Sequence, residues 1–271
     1  MPPSPPNNVD KVGFWGPPTS TLDWCEYNYE ISYYIAEFWN TVSNLIMIIP
    51  PLWGIYLGWK NQIGTRLILC YMSLLMVGVG SWLFHMTLLY QMQLMDELPM
   101  VWGTLASAYT LFDINAGVSE NNWLLAILLV LYGTIITVVY IAINVPIFHQ
   151  VAYGILVGTC FIYSFMLSRR KYFQMRWFVL SLGLYLIGFG VWNIDNVFCT
   201  SLRASRERLP GIIAPFTQLH AWWHFFAGYG SYLSILYLQQ ARLTVLKQQG
   251  SIKFGLLGLY VDMRPDHVHA E

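Results

Sequence analysis

Residues 214–240 read APFTQLHAWWHFFAGYGSYLSILYLQQ. No Lys, Arg, Asp or Glu occurs from Leu209 to Ala241. At a rise of about 1.5 Å per residue, a helix of this length crosses a hydrocarbon core of about 30 Å. The stretch therefore reads as a membrane helix, and it carries His220 and His224, four residues apart. Six windows of the same kind precede it, at approximately 33–57, 66–89, 96–113, 122–143, 147–167 and 175–198. Charged or turn-forming residues separate them. Pro99, Pro146 and Pro215 fall where a first helical turn tolerates proline, whereas Pro50 and Pro51 fall inside the first window and should kink it.

Composition agrees with this pattern. Of 271 residues, 56% are hydrophobic and 10% charged, against about 25% charged in a soluble domain. A soluble protein of this size cannot hide so much apolar surface. The composition excludes a soluble enzyme, a disordered chain and a nucleic-acid binder. Zero formal net charge gives no general pull toward acidic partners. The expected fold class is an all-α membrane protein, a seven-transmembrane helix bundle. The expected division is an N-terminal tail over 1–32, a membrane-embedded catalytic domain over 33–240 and a C-terminal tail over 241–271.

The polar, Pro-rich start Met1–Asp10 lacks the basic and apolar parts of a secretory signal, so insertion is expected to rely on the first membrane helix. Seven crossings place the termini on opposite faces. The N-terminal face then holds four Lys and Arg (Lys11, Arg203, Arg206, Arg208), and the other ten lie on the opposite face. The positive-inside rule puts the C-terminus in the cytosol and the N-terminus in the lumen or outside.

Ionisable residues inside a membrane are functional candidates by default. Here they gather near the N-terminal face: Ser81 and His85 at the end of helix 2, Asp96 and Glu97 at the start of helix 3, and Asp195 at the end of helix 6. His220 and His224 open helix 7, and Glu37 opens helix 1. His220 and His224 share one helix face and suit a single metal ion. A third imidazole would complete a three-nitrogen zinc site with an open position. His85 is the preferred third ligand and His149 its competitor. The bland reading of HAWWH is an interfacial aromatic belt.

Ser81, four before His85, is placed to donate to a developing oxyanion, unless Gly78, Gly80 and Ser81 merely form a packing patch. Asp96 is the candidate general base, and Glu97 fits a helix-start carboxylate favoured by the macrodipole. Asp23, Glu26, Asn28 and Glu37, with a backbone carbonyl, are oxygen ligands suited to calcium, but the residues alone favour an ordinary acidic loop. Cys25 and Cys199 both fall at the N-terminal face, where a disulfide is chemically allowed if that face is luminal. Cys70 and Cys160 read as buried small hydrophobes. Trp192–Asn196 reads as polar glue between helices.

These stretches together resemble the alkaline ceramidases, seven-helix intramembrane amidases related to the adiponectin receptors. The likeness runs through WGPPTSTLDW (15–24), YIAEFWNTVSNLIMIIPP (34–51), GSWLFHMT (80–87), MQLMDELP (92–99), PIFHQ (146–150), WNIDNVFC (192–199) and HAWWH (220–224). It implies zinc at His85, His220 and His224, with Ser81 and Asp96 as catalytic partners. It implies calcium at Asp23, Trp24 (through its backbone oxygen), Glu26, Asn28 and Glu37, and a Cys25–Cys199 disulfide. The implied activity is hydrolysis of ceramide to sphingosine and a fatty acid, in the endoplasmic reticulum and Golgi. Within the family the chain looks most like the member that prefers unsaturated long-chain ceramides. The rival readings are a receptor with mainly structural zinc and a proton-coupled transporter. The second lacks inverted repeats.

Overall fold

The structure is a computed structural model that describes residues 11–117, 120–170, 173–255 and 257–263. Met1–Asp10, Lys171 of the basic loop and Arg264–Glu271 lie outside the described residues. Among the described residues the chain forms α1 (Phe38–Ser43), α2 (Leu45–Lys60), α3 (Thr65–Thr87), α4 (Tyr90–Phe112) and α5 (Trp123–Ile143). It continues with α6 (Pro146–Ser168), α7 (Met175–Val197), α8 (Cys199–Arg206), a 3₁₀ turn (Ala214–Thr217) and α9 (Leu219–Val245). Strands β1 (Gly250–Gly255) and β2 (Gly258–Met263) follow. The pair α1–α2 makes the first crossing, and α3, α4, α5, α6, α7 and α9 make the other six, giving the seven-helix membrane bundle.

Five of the seven crossings are long and apolar enough to span a membrane on composition alone: α1–α2, α3, α5, α6 and α7. The two that fall short are α4 and α9. Their polar residues explain this: Gln93 and Glu97 on α4 are buried, as are His220, His224, Gln239, Gln240 and Arg242 on α9. Polarity is tolerated at membrane depth because it faces protein rather than lipid.

Local chemistry sets the helix ends. Asn122 caps α5 by accepting from Leu125 N at 3.0 Å. Asn144, at φ 51°, stops it, and Pro146 restarts the chain in the first turn of α6. Two boundaries differ from the sequence reading. The first crossing is interrupted at Asn44, whereas α2 continues through Pro50 and Pro51. Side chains compete there for main-chain carbonyls: Ser43 Oγ and Asn44 Nδ2 both donate to Asn40 O. The polar stretch 91–97, read as a break, is instead the start of α4, because Gln93 and Glu97 satisfy one another inside the protein. Pro99 therefore lies ten residues into α4 rather than in its first turn.

That proline has a structural use. It has no N–H, so the Met95 carbonyl loses its donor four residues on. Gly80 of α3 sits directly against this carbonyl, where a Cβ would collide. The close approach brings Ser81 beside Asp96. Gly230 of α9 does the same for α7, and Ser181 Oγ donates to Gly230 O at 2.8 Å.

Beyond α9, an antiparallel hairpin pairs Gly250 through Gly255 with Met263 through Gly258. The tail was read without strands. Its Gly-bounded runs SIKF and LYVDM carry the signal, and buried Ile252 and Val261 join the cluster around Leu243 and Tyr232. Tyr232 Oη donates to Leu259 O at 2.8 Å. A second polar group lies toward this end of α9, where Tyr71 Oη donates to Gln239 Oε1 at 2.6 Å and Gln240 Nε2 to Gly250 O at 3.2 Å. Intramembrane polarity is thus not confined to one face.

The Gly80 contact yields a test. Gly80→Ala should lower stability by about 1–3 kcal/mol through overpacking, read as a fall in Tm of the purified protein. An unchanged Tm would show that α3 and α4 do not meet so closely.

Candidate metal centre and active site

The end of α3 and the start of α9 deliver three imidazoles to one point. The ligand nitrogens of His85, His220 and His224 lie within 4.8 Å of one another, and all three residues are buried. His85 Nδ1 is 2.5 Å from Glu37 Oε2, and His224 Nδ1 is 2.8 Å from Ser43 Oγ. A proton on Nδ1 of His85, donated to Glu37, leaves its Nε2 lone pair for a metal. His220 Nδ1 is buried with no hydrogen-bond partner. Three clustered imidazoles, two oriented by outer oxygens and one carrying an orphaned nitrogen, fit a zinc site with an open fourth position. His149 stands apart. Its Nε2 is 2.9 Å from Glu97 O, and its ring packs on Tyr140 and Tyr153. Among the described residues, His85 and not His149 converges with His220 and His224.

Ser81 is the side-chain hydrogen-bonding neighbour of Asp96. Both line a cavity of about 620 Å³ enclosed by α3, α4, α6, α7 and α9, and so do His220 and His224. The cavity runs from Trp24 and His220 down to Cys70, Leu111, Ser164 and Leu238. Its lining is mostly apolar below the histidines, as suits a lipid tail. Cys70 is buried and Cys160 half-buried, and both thiols are free.

Glu97 does more than favour a helix start. It accepts from Gln93 Nε2 at 3.0 Å and from Tyr140 Oη, and Gln93 accepts from Thr21 N at 2.8 Å. This network ties the N-terminal segment to α4 and α5. Asn193 and Asn196 donate back to their own helix, to Phe189 O and Trp192 O, and so do not bridge helices. Asp195 takes that role: it faces the backbone N–H groups of Cys25, Leu219 and His220.

The N-terminal segment folds over the histidines. Glu37 N donates to His85 O at 2.9 Å, and Ala36 N to Met86 O at 2.9 Å. Cys25 and Cys199 form a disulfide with Cα atoms 5.3 Å apart. Among the residues expected to hold calcium, Glu26 turns both oxygens to the start of α1, accepting Trp39 N and Asn40 N at 2.8 Å each. Burial, with Glu37 beside it, pushes the Glu26 carboxyl up to about 8, against the pull of those two N–H groups. Asn28 Oδ1 and Glu37 Oε1 are buried without partners. Asp23 adds its charge beside Glu37. Trp24 O accepts from Arg203 Nη2 at 3.1 Å. Asp23, Glu26 and Glu37 do not converge into a second cluster like the histidines among the described residues.

Several site residues escaped the sequence reading. Ser43 as the His224 partner and Glu37 as the His85 partner lie 181 and 48 residues away, beyond any local spacing rule. Arg203 and Arg206, read as a charged loop, lie on α8 and grip the Cys25 carbonyl at 3.1 and 2.9 Å. Trp24 stacks on His220 with ring centroids 3.9 Å apart.

Residues 16–257 match the family described as Ceramidase. The chain is 46% identical to alkaline ceramidase 3 of Mus musculus, over 96% of this chain and 98% of that protein. It is 32% identical to the alkaline ceramidase of Arabidopsis thaliana, over 84% of this chain and 86% of that one. It is 31% identical to the alkaline ceramidase YPC1 of Saccharomyces cerevisiae, over 89% and 83%.

The histidine cluster predicts which imidazoles hold the metal. His85→Ala, His220→Ala and His224→Ala should each lose bound zinc, and His149→Ala should keep it. Glu37→Gln should weaken zinc affinity by about 10–100-fold, as expected for an outer-shell partner. Metal content of purified variants measures this. Zinc loss in His149→Ala with retention in His85→Ala would reverse the assignment.

Proposed function

The chain belongs to the ceramidase family, and from that membership and the buried trihistidine cluster we propose that it is an intramembrane zinc amidase. It cleaves the amide of ceramide with water, giving a sphingoid base such as sphingosine and a fatty acid. The single observation that carries this reading is the convergence of His85, His220 and His224 beside Ser81 and Asp96, at the head of a lipid-sized cavity.

The substrate arrives from the bilayer. Ile162, Leu186 and Phe189 line the cavity and are also half or more exposed. Gly154 and Gly158 of α6 leave open space beside them. An aliphatic tail enters there, between α6 and α7, while the polar amide stays near the N-terminal face.

His85, His220 and His224 would hold zinc, which would supply Lewis acidity for polarising the carbonyl and for acidifying water at neutral pH. Asp96 takes the proton of the attacking water and returns it to the departing amine nitrogen. Ser81 donates to Asp96 in the resting site, and once Asp96 holds the water proton the Ser81 hydroxyl is free to donate to the carbonyl oxygen as it gains charge. Glu37 fixes the ring of His85, and Ser43 that of His224.

Calcium belongs to the same reading. Glu26 and Glu37 bury their carboxyls in one loop with exposed Asp23 beside Glu37, and Asn28 Oδ1 and Glu37 Oε1 lack donors. A hard cation bound by these oxygens and the Trp24 carbonyl would relieve both strains. Because Glu37 also touches His85, calcium there would brace the zinc site. The Lys and Arg distribution supports a luminal N-terminus and a cytosolic C-terminus, and the resemblance to the alkaline ceramidases is the ground for the endoplasmic reticulum and Golgi.

The direct test is mass spectrometry of lipids after the purified zinc-loaded protein meets a panel of ceramides. Equimolar sphingoid base and fatty acid are expected, and intact ceramide throughout would overturn the reading. Asp96→Asn should keep its zinc and its fold yet lose activity by orders of magnitude, because an amide cannot take the proton. Wild-type-like turnover by Asp96→Asn would remove Asp96 from the chemistry. In a calcium titration at fixed zinc, Tm and activity should rise together, and Asn28→Ala should blunt both. A flat titration would leave the loop without its ion.

A further inference from the structure

Trp24 lines the N-terminal end of the cavity. It is 9% exposed, stacks on His220 and meets the edge of Trp192 at 6.2 Å. Its Nε1 is buried and has no hydrogen-bond partner. An indole N–H donates and never accepts, so burying it unpaired is costly unless something else accepts from it. The stack on His220 needs only a flat ring, so packing does not account for the nitrogen.

The ring is also held where it is. The Trp24 carbonyl accepts from Arg203, and the next residue is the disulfide-bonded Cys25. The ring itself is held by its stack on His220 and by the buried cluster it shares with Phe84 and Leu88. A fixed, unpaired donor on a cavity wall beside the metal ligands is a preorganised contact waiting for an oxygen.

Resting on the amidase reading, we infer that the Trp24 indole N–H is a substrate-binding donor that takes a headgroup hydroxyl of ceramide. The substrate carries three oxygens near the scissile bond: the amide carbonyl and the two hydroxyls of its amino-diol. The carbonyl is allotted to Ser81 and the trihistidine centre. With the tails in the cavity below, the hydroxyls lie outermost, at the level of Trp24. Trp24 thereby selects N-acyl amino-diols over simple fatty amides, which offer no such acceptor.

The experiment compares the parent protein with two variants. Trp24→Phe removes the N–H and keeps a flat ring. Incorporation of benzothienylalanine at position 24 keeps the bicyclic ring and deletes only the N–H. Substrates are ceramide and analogues lacking the 1-hydroxyl or the 3-hydroxyl, and a non-hydrolysable N-alkyl analogue serves for direct binding. Both variants should keep zinc content and Tm. KM for ceramide should rise about threefold to tenfold, the scale of one neutral hydrogen bond, with kcat within about twofold. The penalty should vanish on one deoxy analogue, the one missing the accepting oxygen. An equal penalty on all substrates, or none on ceramide, would overturn the inference. If the parent protein leaves every ceramide intact, the amidase reading fails instead, and the binding arm still reports separately on Trp24.

Discussion

The contact between Glu37 and His85 organises the site. Glu37 is fully buried at the entrance to α1, and its Oε2 meets both His85 Nδ1 and Asn40 Nδ2. Its backbone N–H also binds the His85 carbonyl. One residue therefore fixes the segment before the first crossing to the end of the second. Removing one partner of such a buried hydrogen bond leaves the other unsatisfied, at a typical cost of about 1–3 kcal/mol. With this anchor in place, Trp24 reaches His220, Cys25 reaches Cys199, and Glu26 caps α1. The N-terminal segment is consequently a wall of the active site rather than a tail, so a boundary at residue 32 divides one functional unit.

The second constraint is where a membrane protein can afford polarity. The bundle carries His85 on α3, Gln93, Asp96 and Glu97 on α4, Asp195 on α7, and His220, His224, Gln239 and Gln240 on α9, then surrounds their polar faces with other helices. Close helix contacts make that enclosure tight. Gly80 against the Met95 carbonyl and Gly230 against α7 bring backbones together without side chains between them. The same contacts leave the apolar cavity below, so a water-dependent reaction and a lipid tail share one enclosure at different depths.

What the sequence made legible follows from spacing. His220 and His224, like Ser81 and His85, are four apart on helices, and helix parity sends both pairs to one face. Seven crossings were readable because runs of apolar residues report on lipid directly. Less local facts were hidden. Neither Glu37 nor Ser43 announces its histidine, since nothing in a single chain marks contacts across 48 or 181 residues. Glu97 looked like a helix-start carboxylate because α4 was begun at residue 96, six residues late. Arg203 and Arg206 entered only as charges on the N-terminal face, because their acceptors are backbone carbonyls, which carry no sequence signature. The hairpin after α9 carries its strand signal in SIKF and LYVDM, but each strand is only six residues long and lies beyond the last apolar window.

The central claim is that one zinc ion sits among His85, His220 and His224. X-ray absorption at the zinc edge of the purified protein tests it without reference to activity. The account predicts one zinc per chain with three imidazole nitrogens at about 2.0–2.1 Å and one lighter-atom ligand in the fourth position. It also predicts that His85→Ala loses the zinc-edge signal itself. A sulfur ligand, fewer than three imidazoles in the parent protein, or an unchanged spectrum in His85→Ala would contradict it.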